Sequence, residues 1–269
     1  NAPSVGGSQY AQPTFADLDG DGDYDLLIGR KDNYCYGYKN TGSISSPIWT
    51  YYSSWNTANI GSYNAPALAD LDGDGDYDLL VGQNGSTVKA YENTGSTSSP
   101  TWAAKTAWNV SPGVTYNTPA FADIDDDGDY DLLIGNNGVT VKAFENTGST
   151  SSPAWTATSS WDVLGAGTYA SPSFADIDSD GDQDLIIGNT SGISHLFINA
   201  GDKNSPKWAG FAAPSPGSNP QPAYADLDND GDLDLLMGSD DGFSYGYENV
   251  GSDTLPIWSQ KSAWDAPDV

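Results

Sequence analysis

One fifteen-residue run, Phe15-Ala-Asp-Leu-Asp-Gly-Asp-Gly-Asp-Tyr-Asp-Leu-Leu-Ile-Gly29, recurs with small changes four more times along the 269 residues. Its first aspartate falls at Asp17, Asp70, Asp123, Asp176 and Asp226, at intervals of 53, 53, 53 and 50 residues. A fixed period of this length limits the fold more than composition does, because each unit must bury its apolar surface against its neighbours. Five units, near residues 1–56, 57–109, 110–162, 163–212 and 213–269, fill the chain as a single domain.

Each unit reads as four short strands. The first ends at Phe-Ala-Asp, or at the variants Leu68-Ala-Asp and Tyr224-Ala-Asp. After the aspartate loop comes a compact apolar strand: Leu26-Leu-Ile, Leu79-Leu-Val, Leu132-Leu-Ile, Leu185-Ile-Ile and Leu235-Leu-Met, each stopped by a glycine. The third strand carries Val88-Lys-Ala-Tyr-Glu or its counterpart and ends in an Asn-Thr-Gly type of turn. The fourth opens near a Pro-x-Trp, and in four units a second tryptophan follows six residues after the first. A continuously apolar second strand implies burial on both faces. Four strands in about 50 residues, repeated around an axis, predict an all-β, five-bladed β-propeller with four antiparallel strands and one aspartate loop per blade.

The loops account for most of the charge. Among 37 acidic residues only Glu92, Glu145 and Glu248 are glutamates, and the formal net charge is -28. The first loop places Asp17, Asp19, Asp21, Asp23 and Asp25 at positions 1, 3, 5, 7 and 9, with Gly22 at position 6. The copies are Asp70, Asp72, Asp74, Asp76, Asp78; Asp123, Asp125, Asp127, Asp129, Asp131; Asp176, Asp178, Asp180, Asp182, Asp184; and Asp226, Asp228, Asp230, Asp232, Asp234. Five carboxylates in nine residues repel one another unless a cation intervenes. Ca²⁺ takes six to eight oxygens in flexible geometry, which alternating carboxylates on a tight turn supply. The expectation is about five Ca²⁺, one per repeat. An EF-hand is excluded, because position 12 holds Ile28, Val81, Ile134, Ile187 or Met237 instead of a bidentate Glu, and a strand follows rather than a helix.

The run Asp-Leu-Asp-Gly-Asp-Gly-Asp-Tyr-Asp-Leu-Leu-Ile-Gly resembles the FG-GAP repeat of integrin α-subunit propellers and the related bacterial VCBS-type repeats. The Asn-Thr-Gly-Ser…Pro-x-Trp tail is similar to the bacterial versions. The resemblance spans all five units. It implies a propeller with Ca²⁺ between the first two strands of each blade, held by the side chains at positions 1, 3, 5 and 9 and the carbonyl of position 7. This chain departs from the integrin pattern in having five units rather than seven blades, and in an Asp at every position 7.

Other residues read as structural. His195, the single histidine, aligns with Tyr36, Lys89, Lys142 and Tyr245, as a solvated strand position would. Cys35 stands alone, so no intrachain disulfide exists, and it aligns with Val88, Val141, Ser194 and Ser244. The tryptophan pairs Trp49/Trp55, Trp102/Trp108, Trp155/Trp161 and Trp258/Trp264 allow two readings, inter-blade packing or exposed sugar-stacking platforms. The fourth unit keeps Trp208 alone, before a segment with Pro214, Pro216, Pro220 and Pro222.

Function follows by elimination and analogy. The acidity disfavours nucleic acid and anionic lipid surfaces, and no apolar run approaches the ~18 residues of a membrane span. A chain opening at Asn1, without Met or an apolar leader, is consistent with a processed mature protein or a trimmed piece of a longer one. The expected location is extracellular, secreted or at the cell surface. No constellation of nucleophile, base and orienting group is present, so no enzymatic activity is expected. The reading is a calcium-binding recognition or adhesion module, lectin-like, whose partner is a glycan or other cell-surface ligand. The alternative is a self-associating structural subunit of an extracellular filament, sheath or surface layer.

Overall fold

A computed structural model describes residues 11–43, 47–149, 151–192, 194–201, 205–215, 217, 221–225, 228, 230–238, 244–251 and 256–264. The first repeat forms β1 (Ala11–Ala16), β2 (Asp25–Arg30), β3 (Cys35–Asn40) and β4 (Trp49–Tyr51). The second forms β5 (Ala65–Ala69), β6 (Asp78–Gly82), β7 (Lys89–Asn93) and β8 (Trp102–Ala104). The third forms β9 (Thr118–Ala122), β10 (Asp131–Gly135), β11 (Thr140–Asn146) and β12 (Trp155–Ala157), and a two-residue strand β13 (Val163–Leu164) pairs with β11. The fourth forms β14 (Ser171–Ala175), β15 (Asp184–Gly188), β16 (His195–Asn199) and β17 (Trp208–Ala212). The fifth forms β18 (Gln221–Ala225), β19 (Asp234–Gly238), β20 (Ser244–Asn249) and β21 (Trp258–Gln260).

Each repeat makes one antiparallel sheet with its strands in chain order, so the fold class is the expected five-bladed β-propeller. The third sheet exceeds the expected four strands because the chain leaving it pairs Val163 back onto Val141. Register repeats as strictly as sequence. Ala16 faces Asp25, Leu26 faces Tyr38 and Asn40 faces Trp49. The same pairings recur in the fourth sheet as Ala175 with Asp184, Leu185 with Phe197 and Asn199 with Trp208. This register opens the aspartate loop as the turn between first and second strands.

The chain divides into two compact units, residues 1–121 with 144–157 and residues 122–143 with 158–269, and the third repeat contributes to both. In the first unit Leu27 of β2 shares a cluster with Leu79 and Val81 of β6 and with Cys35, Ile60 and Tyr91. In the second, Leu133 of β10 packs with Leu185 and Ile187 of β15, and Ile186 packs with Leu235 and Met237 of β19. The pleat explains the pattern: Leu27, Leu133 and Ile186, each the middle residue of its triplet, meet the two flanking residues of the following triplet. Leu79, Leu80 and Val81 are all 0% exposed, as are Leu185, Ile186 and Ile187, so a second strand buried on both faces has no use for alternation. The glycine that ends this strand has its own reason. A Cβ at Gly82 would lie 1.9 Å from the Asn117 carbonyl oxygen, and one at Gly29 would lie 2.1 Å from that of Asn64. The incoming chain of the next sheet passes there.

In the first three repeats the tryptophan pairs are packing elements, and the Trp264 side chain lies outside the described residues. The fourth strand ends early, and a 3-10 turn over Ser53–Trp55 or Thr106–Trp108 turns the second tryptophan inward. Trp55, Trp108 and Trp161 are 1%, 2% and 5% exposed. The first tryptophan of the following sheet then donates its indole N–H to the carbonyl of that buried residue: Trp102 to Trp55 at 2.9 Å, Trp155 to Trp108 at 2.9 Å and Trp208 to Trp161 at 3.0 Å. The broken strand removes the premise of two rings on one exposed face. These tryptophans join sheet to sheet rather than offering a platform. Of the proline-rich exit of the fourth unit, Pro216 and Pro220 lie outside the described residues.

Replacing Trp102 with Phe keeps the ring but removes the donor and leaves the Trp55 carbonyl without it. We expect a loss of about 1–2 kcal/mol of stability, read as a lower midpoint in urea unfolding followed by far-ultraviolet circular dichroism. An unchanged midpoint would show that this hydrogen bond joins nothing of consequence.

Candidate metal centre

The loop between first and second strands is wound around its first aspartate. Asp17 accepts Gly20 N–H at 2.7 Å on one oxygen and Gly22 N–H at 3.0 Å on the other. Asp70 repeats this with Gly73 at 2.8 Å and Gly75 at 3.1 Å, and Asp176 with Asp180 and Gly181, both at 3.2 Å. Position 5 accepts the amide of position 7, as in Asp129 N–H to Asp127 at 2.9 Å. Winding this tight needs left-handed backbone at positions 4 and 6. Gly20 and Gly22 have φ of 73° and 92°. In the third and fourth loops position 4 is Asp126 and Ser179, at φ 56° and 57°, which costs a residue with a Cβ roughly 1–2 kcal/mol.

Position 9 is the anchor. Asp25 is fully buried at the start of β2 and accepts Leu18 N–H at 2.9 Å on one oxygen and Asn40 N–H at 2.8 Å on the other. Asp78 does the same with Leu71 at 3.0 Å and Asn93 at 2.8 Å, and Asp184 with Ile177 and Asn199, both at 2.8 Å. Each therefore ties the loop to the end of the third strand. Burial outweighs these amide bonds and raises the carboxyl to about 6 in Asp25, about 7 in Asp78 and about 6 in Asp184. Asp76 is raised to about 6 by burial, then by its neighbours Asp74, Asp72 and Asp70. Asp72 and Asp178 move upward for the same two causes in the same order.

The folding brings together positions 1, 3 and 9. One oxygen from each of Asp17, Asp19 and Asp25 lies within 4.8 Å of the others, and the same holds for Asp70, Asp72, Asp78 and for Asp176, Asp178, Asp184. In the third loop the close group is Asp123, Asp125 and Asp127, at positions 1, 3 and 5. Two oxygens across one Ca²⁺ with bonds of about 2.3–2.6 Å are separated by a comparable distance. The donor sets fit such an ion. Oδ1 of Asp19, Asp72, Asp76 and Asp178 is shut off from solvent with no hydrogen-bond donor, an arrangement that is costly unless a cation supplies the missing interaction. Position 5 stays outside the triads in the first, second and fourth loops, where Asp21, Asp74 and Asp180 are exposed. Of the fifth loop, Asp226 lies outside the described residues, while Asp234 is buried and accepts Asn249 N–H at 3.0 Å.

Sequence reasoning missed Lys39, whose ammonium pairs with Asp19 and lies 3.6 Å from Asp21. The signal was present, since the aligned residues are Glu92, Glu145, Ile198 and Glu248. It also missed the tyrosines at position 8: Tyr24, Tyr77 and Tyr130 are 61%, 37% and 44% exposed beside the acidic groups. Tyr77 lines a cleft of about 220 Å³ with Asp17, Gly20, Asp76, Asn93 and Thr97. A groove of about 550 Å³ on the second sheet holds Lys89 and Tyr91 as its titratable groups, and the Lys89 ammonium is bound to the Ile60 carbonyl. His195 stacks on Phe197 with centroids 6.1 Å apart. Cys35 is fully buried, which pushes its thiol far above the ordinary value.

The position 9 shifts make a pH prediction for metal-stripped protein. These groups titrate near 6–7 when folded and near 3.8 when unfolded, so the folded state binds more protons between those values. Stability is then fully present below about pH 4 and is lost as pH rises through 6–7. Scanning calorimetry in chelator-stripped buffer should show the melting temperature falling from pH 5 to pH 8, and added calcium reversing that fall. A melting temperature that climbs over this range without metal would contradict the assignment.

The FG-GAP-like repeat family model matches residues 17–81, 70–134, 123–187 and 176–237. No curated protein sequence matches. Among solved structures, the chain is similar to BBS1N in complex with ARL6DN, soaked with lead, at TM-score 0.52 and 11% identity over 98% of this chain and 68% of that one. A mercury-soaked crystal of the same complex gives TM-score 0.50 and 12% identity over 97% and 67%. The Chaetomium thermophilum Polycomb Repressive Complex 2 bound to GSK126 gives TM-score 0.48 and 11% identity over 92% and 53%. At such identities the likeness shows fold alone. With four overlapping matches that run from the first aspartate loop into the last, the chain belongs to the FG-GAP-like repeat family.

Proposed function

We propose that this chain is a non-enzymatic, calcium-stabilised recognition module that works outside the cell or at its surface and takes a glycan as its ligand. The observation that carries the calcium part is the recurring triad of carboxylate oxygens with buried, donorless partners. Asp17, Asp19 and Asp25, their equivalents in the second and fourth loops, and Asp123, Asp125 and Asp127 in the third would hold the ion, which supplies the positive charge that offsets their repulsion. At about 1 mM Ca²⁺ and a dissociation constant near 10⁻⁴ M, each ion contributes about 1.4 kcal/mol. Several such ions amount to a large share of the ~5–15 kcal/mol net stability of a domain.

A recognition role is supported by what surrounds the loops. Exposed tyrosines recur at one loop position in three repeats, Tyr24, Tyr77 and Tyr130, and an amphipathic ring beside a cation suits the faces and hydroxyls of sugars. Near-identical sites favour a ligand that is itself repetitive, through avidity. The cleft beside Tyr77 is smaller than the ~300–1,000 Å³ of enclosing small-molecule sites, and the larger groove pairs no general acid with a base. BBS1N is solved in complex with ARL6DN, so a protein partner is the outcome to set against the glycan.

Calcium should raise the melting temperature of stripped protein by several degrees, and an unresponsive melt would remove the metal from the proposal. For the ligand, labelled protein on a glycan array should bind in calcium and lose binding in EGTA. Substitution of Tyr24, Tyr77 and Tyr130 by Ala should abolish that binding with the calcium-bound melt unchanged. Binding to deglycosylated surface proteins instead would reject the glycan and leave a protein partner.

A further inference from the structure

The repeats differ at one point that bears on the metal. The residue before the asparagine that ends the third strand is Lys39, Glu92, Glu145, Ile198 and Glu248 in chain order. In the second repeat Glu92 pairs with Lys105 at 2.8 Å, and in the fifth Glu248 pairs with Lys261. The first repeat has Tyr52 where those lysines stand, and its own lysine has moved to the glutamate position. Lys39 reaches from β3 into the acidic loop, where its ammonium pairs with Asp19 and lies 3.6 Å from Asp21. Only 8% of the Asp19 side chain is exposed, so the pair is shielded from the solvent screening that weakens surface ion pairs.

We infer that Lys39 is an internal counter-ion for the first loop, which therefore holds a divalent cation at least tenfold more weakly than the second loop. This rests on the reading of the loops as calcium sites. An ion entering the first triad meets Lys39 on one of the carboxylates it needs. Either the ammonium withdraws and gives up its pairing with Asp19, or it stays and repels a doubly charged neighbour. Both routes subtract from binding, and tenfold corresponds to about 1.4 kcal/mol. The second loop has Glu92 at the same place, and that carboxylate is paired with Lys105 of the chain leaving β8, so this position brings no ammonium onto Asp72. The repeats thus divide labour. In the first loop one carboxylate that the ion needs is paired from within, whereas in the second the same carboxylate is left to the ion.

Native mass spectrometry of the full chain, titrated with calcium alone from the stripped state, tests this. At calcium sufficient to load the second loop, Asp72→Asn should lose one bound ion relative to the parent, Asp19→Asn should lose none, and Lys39→Glu should gain one. Loss of one ion by Asp19→Asn, equal to that of Asp72→Asn, overturns the inference and leaves the calcium reading intact. No bound ion in any of the proteins overturns both. A thermal readout guards against misfolded variants. Lys39→Ala should melt lower than the parent in stripped buffer and recover more than the parent when calcium is added. An identical calcium response in the two proteins overturns the inference.

Discussion

A buried carboxylate that accepts one backbone amide from the loop and one from the third strand is the constraint on which the first, second and fourth sheets rest. Asp25, Asp78 and Asp184 sit at the first residue of the second strand, where water is excluded on both faces. Each is bonded to the amide after the loop's first aspartate and to the asparagine that ends the third strand. Burying such a group costs free energy that its amide partners only partly return, which is why its proton affinity rises. The return is geometric. With the loop clipped at this point, the first and third aspartates meet the ninth in the first, second and fourth loops, while in the third they meet the fifth.

The same economy of position governs how sheets meet. The strand that starts with this aspartate continues as three apolar residues and a glycine, so anchor, core and crossing point follow one another within five residues. The tryptophan staples then bond the edge of one sheet to the turn that leaves the previous one. A hydrogen bond from an indole to a backbone carbonyl specifies distance and direction, which apolar packing alone does not. The repeated core sets how deeply neighbouring sheets bury each other, and the staple sets their register.

Much of the loop was legible before the structure because its chemistry is local. Alternation of Asp with Gly at position 6 states both the charge and the turn, and the apolar triplet states burial on both faces. What escaped was non-local. Position 9 reads as one more ligand in a row of five, yet it is also a structural acceptor, because its partner Asn40 lies 15 residues away across a hairpin. Positions 5 and 9 look equivalent in sequence, but Asp21 points to solvent while Asp25 is buried. The tryptophans invited two readings because six residues on an unbroken strand would share a face, and only the 3-10 turn decides that they do not. Lys39 was visible as an exception among glutamates, but its meaning needs the distance to Asp19.

Sequence alone determined the period, the strands within each repeat, the acidic loops and the family. All of these depend on neighbours in the chain, where residue type dictates backbone conformation and periodicity dictates which face is apolar. Tertiary structure decided which carboxylates converge, which are consumed as backbone acceptors, where the indoles donate and which lysine enters a loop. Those choices join residues from different strands or different repeats. No local pattern encodes them, because they are set by the register and stacking of the completed sheets.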